Sequence, residues 1–174
     1  MVTRTLEWQI TMTRKNIISL FAAGLVMLAG CGSNTDDTQP SQETKAAVSV
    51  SEVLGAVDEE NLDGTILKGD SLFDGNAKKF YGVDADKITE GGMLYNTEGS
   101  QADEVDIIRF ADDVDGKAVL EKRLSERRAT FDSYKPEDMP KFDKAQVFEE
   151  GGYDVLIISD NAESISKLVK DRIG

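Results

Sequence analysis

The sequence predicts an α+β domain over residues 48–174, in which a small antiparallel sheet of about four strands carries helices on one face. Three observations favour this fold. Two helical apolar patterns are followed by two strand–strand–helix units. The longest helical pattern, at residues 117–134, ends just before Pro136, a residue that breaks helices. A Gly-Gly pair separates two apolar segments, 145–150 and 153–159, as in a tight hairpin.

The two predicted N-terminal helices are indicated by apolar residues at helical spacing. The first helix follows a serine cap, at Ser49 or Ser51. Its apolar stripe consists of Val50, Val53, Leu54 and Val57. The second helix is shorter and ends at Gly82. Its apolar residues are Leu72, Phe73, Ala77, Phe80 and Tyr81.

Two pairs of strands follow these helices. Residues 93–95 form a strand entered through two glycines, and residues 104–111 begin with acid–apolar alternation before becoming apolar on both faces. The segment 153–159 is also apolar on both faces, so we expect it to run in the centre of the sheet. The hairpin before it turns at Gly151 and Gly152, which tolerate the positive φ angles of such a turn.

The last helix is predicted to start with a capping box made by Asp160 and Glu163. Its core-facing residues are Ala162, Ile165, Leu168 and Val169.

The only cysteine of the chain, Cys31, follows a segment with the organisation of a secretory signal. Arg14 and Lys15 precede an apolar run at residues 17–29, and small residues lead into the cysteine. This arrangement resembles the lipobox of bacterial lipoproteins, in which the thiol is acylated and the chain is cut before the cysteine. We therefore predict a signal peptide at residues 1–30 and lipidation of Cys31. The alternative is a buried cysteine at the end of a core helix.

The start of the chain is open between Met1 and Met12, since Glu7 and Trp8 are unusual ahead of a signal core. Residues 31–47 are polar and without periodicity, which is typical of a flexible tether. The sequence thus predicts a single domain at residues 48–174, held at a membrane surface by lipid and tether.

Charge excludes several function classes. The chain has 33 acidic and 20 basic residues and a net charge of −13; beyond the predicted signal peptide the net charge is −15. Such a domain repels nucleic acid and anionic membrane surfaces, so we expect no nucleic-acid partner.

There is no histidine, and lipidation would leave no free thiol. The usual general base and the Ser-His and Cys-His nucleophiles are therefore missing.

One segment, residues 59–70, nearly follows the ligand spacing of a calcium loop. Glu59 stands where Asp is usual and Asp70 where a bidentate Glu is usual, so the oxygen cage has the wrong size at both ends. The segment 112–117 lacks the first and twelfth ligands. We expect helix ends and turns in these segments, and no metal site.

Charged residues in the predicted elements give two further candidates. Arg127 falls among the apolar residues of the long helix, where it must either pair with a carboxylate, most simply a surface acid, or bind a ligand. Asp103 and Glu104 open the strand at 104–111. Adjacent strand residues point to opposite faces, so we interpret these two acids as edge or loop charges and not as a catalytic pair. The acids in general are expected in turns, caps and the tether, where water keeps their pKa values ordinary.

Four sequence blocks resemble a bacterial lipoprotein family, domain-of-unknown-function family 4358. The blocks read FYGVDADKI, ADEVDIIRF, RLSERRATFDSYKPEDM and GGYDVLIISDNAE, and the similarity spans about residues 72–173. The matching residues are Tyr81-Gly82, Ala102-Asp103-Glu104, Arg123 eight residues before Phe131, Tyr134 with Pro136, and Gly152-Tyr153. Arg127 departs from the pattern, which usually has glutamine there. The resemblance implies a fold and a lipid-anchored location but no chemistry.

The sequence as a whole favours a monomeric, lipid-anchored extracytoplasmic domain that serves as a binding or structural module, with an unidentified protein or small-molecule partner at the envelope. We expect no catalytic residue and no cofactor, and Arg123 and Arg127 are the candidates for ion pairing or ligand binding. The alternative is a histidine-free cell-envelope hydrolase that uses two carboxylates.

Overall fold

The structure, a computed structural model, describes residues 48–174. In this part of the chain five helices and five strands alternate irregularly. In chain order they are α1 (Val50–Leu54), β1 (Gly64–Leu67), α2 (Ser71–Tyr81), β2 (Ile88–Tyr95), β3 (Glu104–Phe110), α3 (Gly116–Tyr134), α4 (Met139–Lys144), β4 (Gln146–Glu150), β5 (Tyr153–Ile158) and α5 (Ala162–Ile173). Two 3₁₀ turns, Ala85–Lys87 and Pro136–Asp138, precede β2 and α4.

The strands form one antiparallel sheet in the order β1-β2-β3-β5-β4. The predicted α+β class is therefore confirmed, and the segment at 153–159 does run inside the sheet, as β5. The expected number of about four strands was one too low. The missed strand, β1, has four residues and buries only Ile66, opposite Met93 of β2. So short a segment leaves little alternation to detect.

The helices pack on both faces of the sheet, not on one face as predicted. We call the two sides the α3 face and the α5 face. The α3 face carries α2, α3 and α4; its core includes Phe73, Tyr81, Leu120, Phe131, Phe142, Ile108 and Leu156. The α5 face carries α1 and α5; its core includes Val53, Leu54, Ile165, Val169, Val105, Ile107 and Val155. Because β3 and β5 bury side chains on both faces, each face of the sheet has its own helical cover.

Several predicted boundaries have a clear local cause. Ser49 caps α1 and forms a capping box with Glu52. The β4–β5 hairpin turns at Gly151 and Gly152, whose φ angles are +58° and +77°. The predicted capping box of α5 is wrong, because Asn161 occupies the cap position and its side chain makes no capping hydrogen bond to the helix. Asp160 instead pairs with Lys144, with 2.7 Å between oxygen and nitrogen.

Candidate functional site

A buried ion cluster lies between β3 and α3, at the side of the sheet that α2 and α3 cover. Glu104 opens β3, and its side chain is 1% exposed. The Arg123 guanidinium of α3 donates from Nε to Oε1 at 2.5 Å and from Nη2 to Oε2 at 2.8 Å. Arg127, one turn later, has its Nε 3.1 Å from Glu104 Oε2 and donates from Nη2 to the Ala102 carbonyl. One buried carboxylate therefore receives two guanidinium groups.

A second buried carboxylate, Asp106, lies on the same side of β3, because alternate residues of a strand share a face. Its Oδ2 is 3.5 Å from Arg123 Nε, a long ion-pair distance. Both Asp106 oxygens and the nearby Tyr81 hydroxyl are buried without an aligned hydrogen bond to any described residue. The cluster therefore contains one carboxylate that is well paired and one that is not.

The pKa values of the two carboxylates follow from this difference in pairing. Burial alone would raise the pKa of Glu104, but the positive charges of Arg123 and Arg127 outweigh burial, so the pKa is lowered. Burial and then the charge of Glu104 raise the pKa of Asp106 well above its ordinary value. Burial and the charge of Asp106 likewise raise the pKa of Tyr81. Glu104 is thus held as the anion, and Asp106 is driven towards its neutral form.

A second ion cluster ties the start of β3 to α4. Lys141 is buried and donates to Asp103 Oδ2 at 2.5 Å, and its Nζ is 3.4 Å from Asp138 Oδ1. Asp138 Oδ2 accepts the Ala102 N–H at 2.9 Å. Burial opposes the charge of Lys141, but the hydrogen bond that its ammonium donates to Asp103 raises the pKa of Lys141 overall. Ala102, Asp103 and Glu104 are therefore each bound to the segment that runs from α3 into α4.

The sequence predicts edge or loop positions for the charges of Asp103 and Glu104. Asp103 does lie in the loop before β3, but Glu104 lies in β3, inside the sheet, and both residues are buried. The expectation that acids lie only where water keeps their pKa values ordinary is wrong for Glu104 and Asp106. The structure pairs Arg127 with the buried Glu104 and not with a surface acid. Sequence reasoning did not identify Asp106, Tyr81 or Lys141 as members of these clusters. The only available signal was the position of Asp106 between Val105 and Ile107, inside a mostly apolar strand.

At the hairpin end of the sheet, Arg109 of β3 lies over the Tyr153 ring, 4.1 Å from its centroid. Its Nη1 donates to Glu90 at 3.1 Å, and its Nε donates to the Gly152 carbonyl at 3.3 Å. Burial, with Glu90 nearby, raises the pKa of Tyr153 to about 12. This arrangement anchors the Gly151–Gly152 turn against β3.

An open groove of about 1060 Å³, lined by described residues, runs between α5 and the start of β4. Its charged side chains include Lys144, which is paired with Asp160, and Lys167, which is paired with Asp171. A second open groove of about 600 Å³ lies at the hairpin end of the sheet, lined by residues that include Arg109, Asp112 and Glu149. Both grooves are open to solvent and have many charged residues in their lining, unlike the enclosed and mostly apolar cavities that hold small ligands.

The segment at 59–70 was expected to contain a helix end and a turn. It also contains the strand β1. Asp63 accepts from the Thr97 N–H and hydroxyl at 2.8 Å and 2.9 Å, and Asp70 accepts from the Leu67 N–H at 2.9 Å. Between residues 48 and 174, no group of three or more Asp, Glu, Cys or His side chains is placed to hold a metal ion.

Cys31, the predicted signal peptide at 1–30 and the tether at 31–47 lie outside the described residues. In the described part of the chain, no helix combines the length and apolar character needed to cross a bilayer.

Comparison with known proteins gives one match. The sequence profile of the family described as Domain of unknown function (DUF4358) matches residues 63–159, which is more than half of the chain. The matched range includes both ion clusters. No curated protein and no solved structure matches the chain.

Proposed function

The chain belongs to the family described as Domain of unknown function (DUF4358), and we propose that it is a lipid-anchored extracytoplasmic module that binds a partner at the cell envelope. The anchor is proposed from the sequence alone, since a basic region, a short apolar run and small residues lead directly into Cys31. A thiolate is the side-chain nucleophile best suited to accept a lipid.

The observation that supports a binding role is that the buried carboxylates Glu104 and Asp103 are paired with basic side chains of the helices. Glu104 is bound by Arg123 and Arg127, and Asp103 is bound by Lys141. Each pair joins β3 or the residue before it to a helix, and Glu104 and Asp103 are almost fully buried. A catalytic carboxylate must instead reach its substrate. These acids therefore support an architectural role, which leaves the surface of the domain for partner contacts.

One observation favours the alternative, a carboxylate-based hydrolase. Glu104 and Asp106 lie on one face of β3, and their pKa values are shifted in opposite directions, as in an acid–base pair. Both carboxylates lie beside the same Arg123 Nε, at 2.5 Å for Glu104 and 3.5 Å for Asp106, so they are close together, as the two acids of a glycosidase are. However, the side chains are 1% and 0% exposed, whereas a glycosidase pair flanks a substrate cleft. We therefore place the hydrolase second.

The anchor is tested by expressing the full chain in a bacterium and comparing it with Cys31→Ser, with Ser33→Ala as the matched control. We expect the native chain and Ser33→Ala in the membrane fraction, with mass spectrometry giving a diacylated N-terminal cysteine. Cys31→Ser should remain unprocessed or be released. An unmodified Cys31 in a chain that still carries Met12 would contradict the proposed anchor.

The hydrolase is tested with the same purified chain, incubated with cell-wall glycan and with peptide substrates. We expect no turnover. Turnover that disappears in both Glu104→Gln and Asp106→Asn would replace the binding proposal by the hydrolase.

A further inference from the structure

The two edges of the sheet differ in how their backbone groups are covered. At one edge, the Lys68 N–H donates to the Gly91 carbonyl of β2. Because hydrogen-bonded residues alternate along an antiparallel pair, the backbone N–H and C=O groups of Thr65 and Leu67 point away from the sheet. The Asp70 carboxylate accepts the outward N–H of Leu67 at 2.9 Å. The edge at β1 is therefore short and partly closed by the chain's own side chain, as is usual for protected edges.

The opposite edge, β4, has no such cover. Glu150 and Tyr153 close the two-residue hairpin, so they form a hydrogen-bonded pair. Alternation then directs Gln146 and Phe148 towards β5, and turns the N–H and C=O groups of Val147 and Glu149 away from the sheet. No hydrogen bond between described backbone groups involves the outward groups of these two residues. An extended chain could form a regular ladder with them.

Charge specifies what kind of chain fits this edge. Glu149 is exposed and directly opposes Asp154 of β5, and Asp115 lies close to them at the start of α3. Burial raises the pKa of Asp154, and the charges of Glu149 and Asp115 raise it further, so repulsion between these acids is not relieved. None of these three carboxylates has a Lys or Arg partner among the described residues. Arg109 lines the same groove, but it is bound to Glu90 and the hairpin carbonyls.

We propose that β4 is a docking edge for an extended segment of a partner protein that carries Lys or Arg at alternate positions. Its main chain pairs with Val147 and Glu149, and its basic side chains lie on the α3 face beside Glu149 and Asp154. The intervening side chains contact Phe148 on the α5 face. The net charge of −13 attracts such a segment over longer distances. This inference rests on the proposed binding role and names the partner's chemistry.

The test uses the full chain in detergent and a fluorescent octapeptide of alternating lysine and valine, with binding followed by anisotropy. We expect saturable binding that weakens as salt is raised. Val147→Pro removes an outward N–H and no ladder bond to β5, so it should weaken binding about tenfold or more. The matched change at the other edge, Thr65→Pro, should leave affinity within about twofold. Glu149→Gln, an exposed change that leaves the backbone intact, should weaken binding about threefold.

Three results would overturn the proposal even if the peptide binds. The first is equal binding of a peptide in which glutamate replaces lysine. The second is equal binding of a lysine peptide whose central valines are prolines, because charge alone would then explain the affinity. The third is self-association of the chain that Val147→Pro abolishes, which would assign the edge to a second copy. Failure of peptide binding with Cys31 still acylated would refute the docking edge alone, whereas an unmodified Cys31 would refute only the anchor.

Discussion

Arg123 donates two hydrogen bonds to Glu104, at 2.5 Å and 2.8 Å, inside the layer where α3 packs on the sheet. Its guanidinium also lies 5.0 Å from the centroid of the Phe80 ring and donates to the Phe80 carbonyl at 3.3 Å. One side chain of α3 thereby contacts β3 and α2 at once. Burial opposes the charge of Arg123, but Glu104 and Asp106 raise its pKa overall, so the guanidinium stays charged.

Removal of this guanidinium is the first test. Arg123→Met leaves Glu104 buried with only Arg127 beside it, so we expect a loss of about 3–5 kcal/mol in the free energy of unfolding. The matched control is Lys122→Met, one residue earlier, where the lysine pairs with Glu126 on the exposed side of α3. That change should stay within about 0.5 kcal/mol. Urea denaturation measures both; equal losses would mean that the buried pair contributes no more than a surface pair.

The second prediction concerns the pH dependence of stability through Asp106. Because its pKa is raised in the folded state, its contribution is complete below the ordinary Asp value of about 3.9 and is lost as pH rises through the raised pKa. Asp106→Asn has no proton to lose. Its free energy of unfolding should therefore exceed that of the native chain by an amount that grows with pH, reaching about 1 kcal/mol or more near neutrality.

Urea denaturation at a series of pH values measures this difference. Asp132→Asn, an exposed change on α3, serves as the control and should run parallel to the native chain. A difference between Asp106→Asn and the native chain that shrinks with pH would contradict a neutral Asp106.

The sequence predicted helices and strands well where residues close by in the chain determine their ends. Pro136 ends the long helix, and the two glycines of the hairpin set β4 beside β5, because each acts within a few residues. The ion clusters depend instead on distant pairing. Glu104 follows a loop and opens a strand that begins with acid–apolar alternation. The same pattern is typical of an exposed strand end. Only the pairing of β3 with both β2 and β5 places it in the interior.

The distribution of helices over the two faces was not predictable in the same way. The apolar stripes of α1 and α5 show that each helix is covered on one side, but a stripe does not specify which face of the sheet covers it. Arg127 was predictable in part. Its place among apolar residues predicted a carboxylate partner or a ligand, but the identity of Glu104 required the fold.

The third prediction tests the connection between Asp138 and Ala102. Asp138→Ala removes the acceptor of the buried Ala102 N–H and one of the two carboxylates beside Lys141. We expect a loss of about 2–4 kcal/mol and faster hydrogen exchange at the Ala102 amide. Asp132→Ala, an exposed change six residues earlier, should leave that amide protected. Unchanged exchange at Ala102 in Asp138→Ala would show that the hydrogen bond does not hold the loop before β3.

The fourth prediction concerns calcium. Residues 64–67 are extended in β1, and Asp63 is already bound to Thr97, so the segment at 59–70 offers no closed set of oxygens. We expect titration calorimetry with calcium to be flat in the roughly micromolar range where sensor loops bind, and thermal stability to be unchanged by a chelator. Saturable heat that disappears in Asp63→Ala would establish a site that the geometry does not provide.

The last prediction compares two helical glycines, one of which is closely packed by other residues and one of which is not. Gly116 begins α3 and is buried; a Cβ there would lie 2.0 Å from Asp154 Oδ2 and 2.4 Å from the Phe110 ring. Gly75 lies inside α2, and a Cβ there would have nothing within 4 Å. Gly75→Ala should therefore raise the free energy of unfolding by about 0.5–1 kcal/mol, since alanine loses less backbone entropy on folding.

Gly116→Ala also reduces the backbone entropy of the unfolded chain but must displace Asp154 and Phe110, so we expect a net loss of about 1–3 kcal/mol. The double variant Gly116→Ala with Asp154→Ala removes the nearest contact and should recover part of that loss. Thermal unfolding of the three variants measures the difference. If Gly116→Ala is as stabilising as Gly75→Ala, the close approach of α3 to β5 at Asp154 is not a real constraint on the fold.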